Sequence, residues 1–335
     1  MKCLGCYTEV KDGYCLSCRK KLFDKAKVST VLSFDSPKVD NLAAFQEHYK
    51  RFSISGVQLK FSLRLENQKL EIAEKEGQYI LKPIPPSTLY VALHDAPENE
   101  HLTMQIAAQL FKINTAANGL IYFKDGQPSY ITRRFDVKPD GSKYMQEDFA
   151  QLTKKTKETH GDTFKYDGSY EEIGLLIKRF VAAAIPALEK FFQLIVFNYI
   201  ISNGDAHLKN FSLFRNDSGE YQLTPAYDLM STVIHTPLEA DTALNLYKGD
   251  IESPFYSTNG YYGRENFIEL AKRIGIMEKR AARIIDQFTI MKKQLEAFIQ
   301  GSFLTKESKA KYLENVAEKI TRIQPIGINN NYKIF

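Results

Sequence analysis

The stretch Asn203-Gly204-Asp205-Ala206-His207-Leu208-Lys209-Asn210 puts a carboxylate five residues before a carboxamide, and a second carboxylate follows in Ala226-Tyr227-Asp228. Phosphoryl transfer from magnesium–ATP calls for this set of groups. One carboxylate faces the acceptor hydroxyl, while an amide oxygen and a second carboxylate hold the metal against the phosphates. The Asp-x4-Asn spacing serves protein and small-molecule acceptors alike, so this loop leaves the acceptor open.

Upstream, residues 23–135 read as strands with one helix. Phe61 to Leu65, Leu70 to Ala73 and Gln78 to Lys82 alternate like half-buried strands, and Pro83, Pro85 and Pro86 then bar a helix. Glu98 to Ile113 is amphipathic, with Leu102, Ile106, Leu110 and Ile113 at helical spacing. Leu120–Phe123, Asp125-Gly126 and Tyr130–Phe135 suggest a hairpin. Lys82 ends a strand, where its ammonium can neutralise non-transferred phosphates, and Glu100 on the following helix can pair with it. Ser53-Ile54-Ser55-Gly56-Val57-Gln58-Leu59-Lys60 supplies small residues whose backbone N–H groups can cradle phosphate oxygens.

Downstream, residues 136–335 read as mostly helical: Gln146–Lys155, Tyr170–Ala184, Pro186–Ser202, Arg264–Ile274, Glu278–Ile299 and Lys306–Ile323. A β-rich half followed by a helical half defines an α+β, bilobal, protein-kinase-like fold. The 335 residues suffice for such an enzyme, and 44% apolar with 25% charged residues fits a globular protein. A net charge of +5 is mild and gives no ground for direct nucleic-acid binding. The N-terminus lacks an apolar stretch, and Phe191 to Ile201 is too short to span a bilayer; no membrane association and a cytoplasmic location are expected.

The four cysteines, Cys3, Cys6, Cys15 and Cys18, form two Cys-x2-Cys pairs. Such pairs present four thiolates tetrahedrally, so residues 1–22 are expected to be a small zinc ribbon with a structural ion. Disulfides are the competing reading, disfavoured in a cytosolic chain. With four ligands no position is left open for catalysis.

These segments, with Arg134-Phe135-Asp136 and Gln146-Glu147-Asp148, come in an order that resembles the HipA-type serine/threonine kinases, toxins of bacterial toxin–antitoxin pairs. The resemblance covers most of the chain from about Phe52 onward. It implies that Asp205 is the catalytic base and that Asn210 and Asp228 bind magnesium. It also implies that Ser55, Gly56, Val57, Gln58, Leu59 and Lys60 form the phosphate loop, with Lys82 on the phosphates. Arg133, Arg134 and Phe135 would meet the adenine, while His207, Leu208, Lys209, Asn210 and Tyr227 line the site. Lys209 is read as a charge on the transferred phosphate, and His207 as a packing residue, because magnesium prefers oxygen ligands. The family often has Glu where this chain has Arg133.

Ser53 matches the family's autophosphorylated position, and Ser55 completes the Ser-Ile-Ser form of the shorter, HipT-like branch. A phosphate there would add about −1.5 to −2 charge to the loop meant for ATP, expelling it and switching the enzyme off. The resemblance further implies a protein substrate, with an aminoacyl-tRNA synthetase as first candidate. It also implies a HipB-like DNA-binding antitoxin and a small HipS-like protein supplying the N-terminal part that the ribbon replaces. Two alternatives are weighed: a small-molecule phosphotransferase, and a non-catalytic protein binding nucleic acid through its ribbon. The intact Lys82, Asp205, Asn210 and Asp228 argue against the second.

Overall fold

The computed structural model describes residues 1–37, 59–85 and 90–325. The chain divides into two compact units. The first is Met1–Gln146 with Thr224–Leu238 and Ala297–Lys311; the second is Glu147–Leu223 with Glu239–Glu296 and Tyr312–Phe335.

In the first unit, strands β1 (Phe61–Glu66), β2 (Lys69–Ile72), β3 (Tyr79–Pro83), β4 (Asn118–Tyr122) and β5 (Pro128–Arg133) form one antiparallel sheet in the order β2-β1-β3-β5-β4. Paired residues share a face, and the face alternates along each strand. Leu81 pairs with Phe61 and Ile131, and Ile131 with Gly119, which sets one face. Lys82, Tyr130 and Leu120 are paired on the other. Helix α1 (Leu16–Phe23) adds Leu22 and Phe23 to the core of Phe61, Leu63, Tyr79 and Leu81. Helix α2 (Ala96–Gln109) packs on β4 and β5, beginning at Pro97 in its first turn, where a missing N–H is harmless.

The N-terminal residues cover the β4 edge of the sheet. Leu120 N–H donates to the Leu4 carbonyl at 2.9 Å, and the Tyr14 hydroxyl donates to the Leu120 carbonyl at 2.5 Å. Residues Thr30 to Phe34 continue this cover along Tyr122 and Lys124. An edge strand so satisfied offers no template for foreign pairing. The ribbon comes so close that a Cβ on Gly119 would stand 3.1 Å from the Tyr14 ring and 3.2 Å from the Leu4 carbonyl oxygen. Only glycine fits there without displacement.

The second unit is mostly helical: α3 (Tyr170–Phe180), α4 (Ala184–Ile200), α5 (Arg264–Ile274) and α6 (Glu278–Ile290) enclose Phe191, Phe192, Ile195 and Val196 of α4. Helix α3 is well marked by its residues. Ser169 caps it, acids fill its first turn, and Lys178 and Arg179 fill its last. Strands β6 (Gln146–Asp148), β7 (Ser212–Arg215) and β8 (Tyr221–Leu223) form a second small sheet.

Two helical expectations are corrected. Gln146–Lys155 is a strand followed by a single helical turn, Phe149–Leu152, because Asp148 accepts from Gln151 N–H in a capping box and Lys154 adopts positive φ. Glu278–Ile299 is two helices, broken after Ile290 at Met291. Among the described residues no helix is long and apolar enough to cross a membrane.

Candidate active site

In the first unit, Lys82 extends from β3 to the carboxylate of Glu100 on α2, Nζ to Oε1 2.5 Å, and it also pairs with Asp228. Lys82 and Glu100 are almost fully buried. Desolvation alone would lower the Lys82 ammonium, but Asp228 and Glu100 outweigh it and hold the group charged. Burial pushes Glu100 upward, opposed by Lys82. Lys60 Nζ lies 3.6 Å from the other oxygen of Asp228, and Leu59 is buried. Asp228 has φ of 55°, a left-handed conformation that Asp tolerates better than most residues and that recurs at functional sites. The pairing of Lys82 with Glu100 considered from the sequence is therefore present.

Other first-unit candidates have defined partners. Arg133 donates to Asp24 at 2.5 Å. Arg134 makes a two-pronged contact with Asp136, Nε at 3.0 Å and Nη2 at 2.5 Å. The rings of Phe135 and Tyr227 lie 5.6 Å apart. Ser53, Ser55, Gly56, Val57 and Gln58 lie outside the described residues.

In the second unit, Asp205 sits in the turn after α4, half exposed. Asn203 sets that turn: its Oδ1 accepts from Asp205 N–H at 3.3 Å, and its Nδ2 donates to Asn198 Oδ1 at 3.0 Å. Gly204 lies against Glu239 and the Ala240 carbonyl oxygen, 2.5 Å and 2.8 Å from where a Cβ would stand, so the residue before Asp205 has no room for a side chain. The Tyr166 hydroxyl donates to Asp205 Oδ1 at 2.5 Å. Its ring meets His207 edge-on, and His207 Nε2 is 3.8 Å from the same oxygen.

Asn210 Oδ1 accepts from His207 N–H at 3.2 Å, and an amide oxygen keeps a second lone pair for a cation. Leu208 is buried beneath this loop. Lys209 Nζ is 3.7 Å from Asp148 Oδ2, and Glu147 accepts from the Tyr221 hydroxyl at 2.9 Å. The Gln146-Glu147-Asp148 triplet thus braces strand, helix turn and loop. Asn203 and Tyr166 were missed from the sequence. A polar residue two before Asp205 was a usable signal for Asn203; nothing local marks Tyr166.

The cysteine sulfurs of Cys3, Cys6, Cys15 and Cys18 all lie within 4.8 Å of one another. Tetrahedral zinc with bonds near 2.3 Å puts sulfurs roughly 3.8 Å apart, and Cys6 and Cys15 are separated by 3.7 Å. Backbone N–H groups of Gly5 and Cys15 point at the Cys3 sulfur, at 3.4 Å and 3.1 Å. A hydrogen bond from Cys18 pulls Cys3 down to about 4, while the same contact drives Cys18 up. Four thiols this close suit a soft divalent cation, and these residues fit zinc.

A family model described as the HipA-like C-terminal domain matches residues 52–295. A Haemophilus influenzae protein named as a candidate kinase is 28% identical over 271 residues, covering 75% of this chain and 76% of that protein. The Shewanella oneidensis serine/threonine-protein kinase toxin HipA is 25% identical over 212 residues, 58% of this chain and 46% of that protein. Among solved structures, the Shewanella oneidensis toxin–antitoxin complex of HipA, HipB and operator DNA aligns with a TM-score of 0.59 at 20% identity. That alignment covers 81% of this chain and 64% of the other. The β-rich first unit and mostly helical second unit thus have a kinase-like fold.

Proposed function

Because this chain belongs to the HipA-like C-terminal domain family of HipA-type kinases, we propose that it is an ATP-dependent serine/threonine protein kinase acting as the toxin of a toxin–antitoxin pair. The observation that supports this most is the buried Lys82 ammonium between Glu100 and Asp228. A buried cation anchored by a helix carboxylate is what phosphate oxygens need, and the anchor keeps it aimed when they are absent. Asp205 is the proposed base, accepting the proton of the acceptor hydroxyl as its oxygen attacks phosphorus. Asn203 and Gly204 hold the turn that orients it. Lys209 is the proposed charge on the transferred group. Asn210 and Asp228, hard oxygen donors, are the proposed magnesium ligands; magnesium would neutralise charge on the phosphates. Alignment and electrostatics supply most of the rate, since the loose transition state asks for little covalent help.

The finer proposals extend this. Ser53 and Ser55 are the autophosphorylation sites, the Ser55–Lys60 loop and Arg133–Phe135 contact the nucleotide, and the four cysteines carry structural zinc. The antitoxin would be HipB-like, aided by a small HipS-like protein, and the substrate a protein such as an aminoacyl-tRNA synthetase. Incubation with γ-labelled ATP and magnesium, followed by site mapping, tests the reading. Label on Ser53 or Ser55, absent in Asp205→Asn, is expected. ATP turnover without label on any protein would transfer the assignment to a small-molecule phosphotransferase.

A further inference from the structure

The four-cysteine centre is joined to the helix that carries Glu100. Cys6 is a proposed ligand, and its own carbonyl accepts from Gln109 Nε2 at the end of α2, at 3.2 Å. The next residue, Tyr7, adopts positive φ and turns its ring onto His101, with centroids 5.0 Å apart and planes 29° off parallel. Phe298 and Phe303 close on the same ring at 5.4 Å and 5.0 Å. His101 follows Glu100 in sequence, and its Nδ1 donates to Asn118 of β4 at 3.1 Å. The knuckle around Cys6 therefore grips α2 near Glu100 and at its C-terminal end, while Leu4 and Tyr14 grip β4.

A loop of this size cannot hold such a shape by its own apolar burial. The first knuckle is so tight that a Cβ on Gly5 would meet the Cys18 sulfur at 2.7 Å. Without an ion the four sulfurs lose the bonds that tie the two knuckles together, and the Cys6–Tyr7 corner has no reason to keep its conformation.

We propose that a divalent metal held by Cys3, Cys6, Cys15 and Cys18 is the brace that fixes α2, and with it the Glu100 carboxylate on Lys82, so that metal loading controls whether the nucleotide-binding lysine is correctly anchored. This rests on the kinase reading for its consequence, but the coupling itself is measurable without any phosphoryl transfer.

The test uses the full chain and zinc alone. Zinc content is measured by atomic absorption, and hydrogen exchange is followed at residues 96–109, with Tyr170–Phe180 of the second unit as control. The expected results are one zinc per chain, lost in Cys6→Ser/Cys15→Ser, and exchange at 96–109 about tenfold faster after chelation, the factor given by ~1.4 kcal/mol of local stability, with the control unchanged. Tyr7→Ala keeps all four cysteines and guards against a cysteine variant that fails to fold. It should retain zinc yet still accelerate exchange at 96–109. Zinc content unaffected by the cysteine changes, equal acceleration of the control helix, or unchanged exchange after chelation or in Tyr7→Ala would each overturn the proposal. A chain that passes these tests but transfers no phosphate would fail the kinase reading and leave the brace standing.

Discussion

Lys82 Nζ stands 2.5 Å from Glu100 Oε1, and the two side chains retain only 3% and 2% of their solvent exposure. A buried pair of this kind is costly to break, because the remaining charge has no water to turn to.

Lys82→Met should therefore destabilise the fold by about 3 kcal/mol near pH 8. The effect is pH-dependent, and its sign follows from Glu100. Burial already raises that carboxyl above its ordinary value of 4.5, and losing the ammonium raises it further. The folded variant then binds a proton that the unfolded chain has released, so its stability is present at pH 4.5 and falls as pH rises through the elevated value. Thermal unfolding at pH 5 and pH 8 should show this loss, and Lys82→Met/Glu100→Gln should recover most of it. Additive behaviour of the two changes would argue against the pair as a unit.

Asp205→Asn should lower phosphoryl transfer by about 10² to 10⁴, the range of a positioned base, with no change in thermal midpoint. The half-exposed side chain makes little packing contact, and the Asn203 bond is to the backbone N–H that the variant keeps. Transfer rates from single-turnover mixing decide this; near-native turnover would remove Asp205 from the proposed role.

Tyr166 presents a hydroxyl to Asp205 Oδ1 at 2.5 Å, the oxygen that an acceptor hydroxyl would need. Tyr166→Phe removes that competitor. Transfer to a peptide substrate should rise by up to about tenfold, the worth of one hydrogen bond to a charged group. A fall in rate would instead assign the phenol to orienting the carboxylate.

Acid should loosen the first unit through His101. Burial holds its imidazole down at about 4, against 6.5 unfolded. Nδ1 donates to Asn118, while buried Nε2 has no partner, so protonation would add a donor with nothing to receive it. The unfolded chain takes the proton first, so this contribution is complete above pH 6.5 and is lost as pH falls from 6.5 to 4. At about 1.4 kcal/mol per pH unit it amounts to up to about 3 kcal/mol. Urea unfolding across this range should show the slope, and His101→Gln should flatten it.

Local patterning carried a large part of the fold. Period-two alternation marked β1 to β3, and runs of helical pattern marked α3 to α5, because these signals depend on neighbours within a few residues. Periodicity went wrong at Gln146–Lys155, where Asp148 ends a three-residue strand and caps the single helical turn that follows directly. Strands β7 and β8 escaped notice because three or four residues are too few to establish an alternation.

The site divides along the same line. Residue type and spacing in the sequence determined the four thiol ligands, the lysine at the end of a strand, and the Asp and Asn five apart. Only the tertiary structure decided that Glu100 anchors Lys82, that the Asn203 side chain sets the Asp205 turn, and that Tyr166 reaches Asp205 from 39 residues away. It alone joined the cysteine knuckle to α2 through Tyr7 and Gln109, 94 and 103 residues from their partners. Such contacts arise when strands and helices pack, and close packing selects partners by shape and unpaired polarity, which no short window of sequence contains.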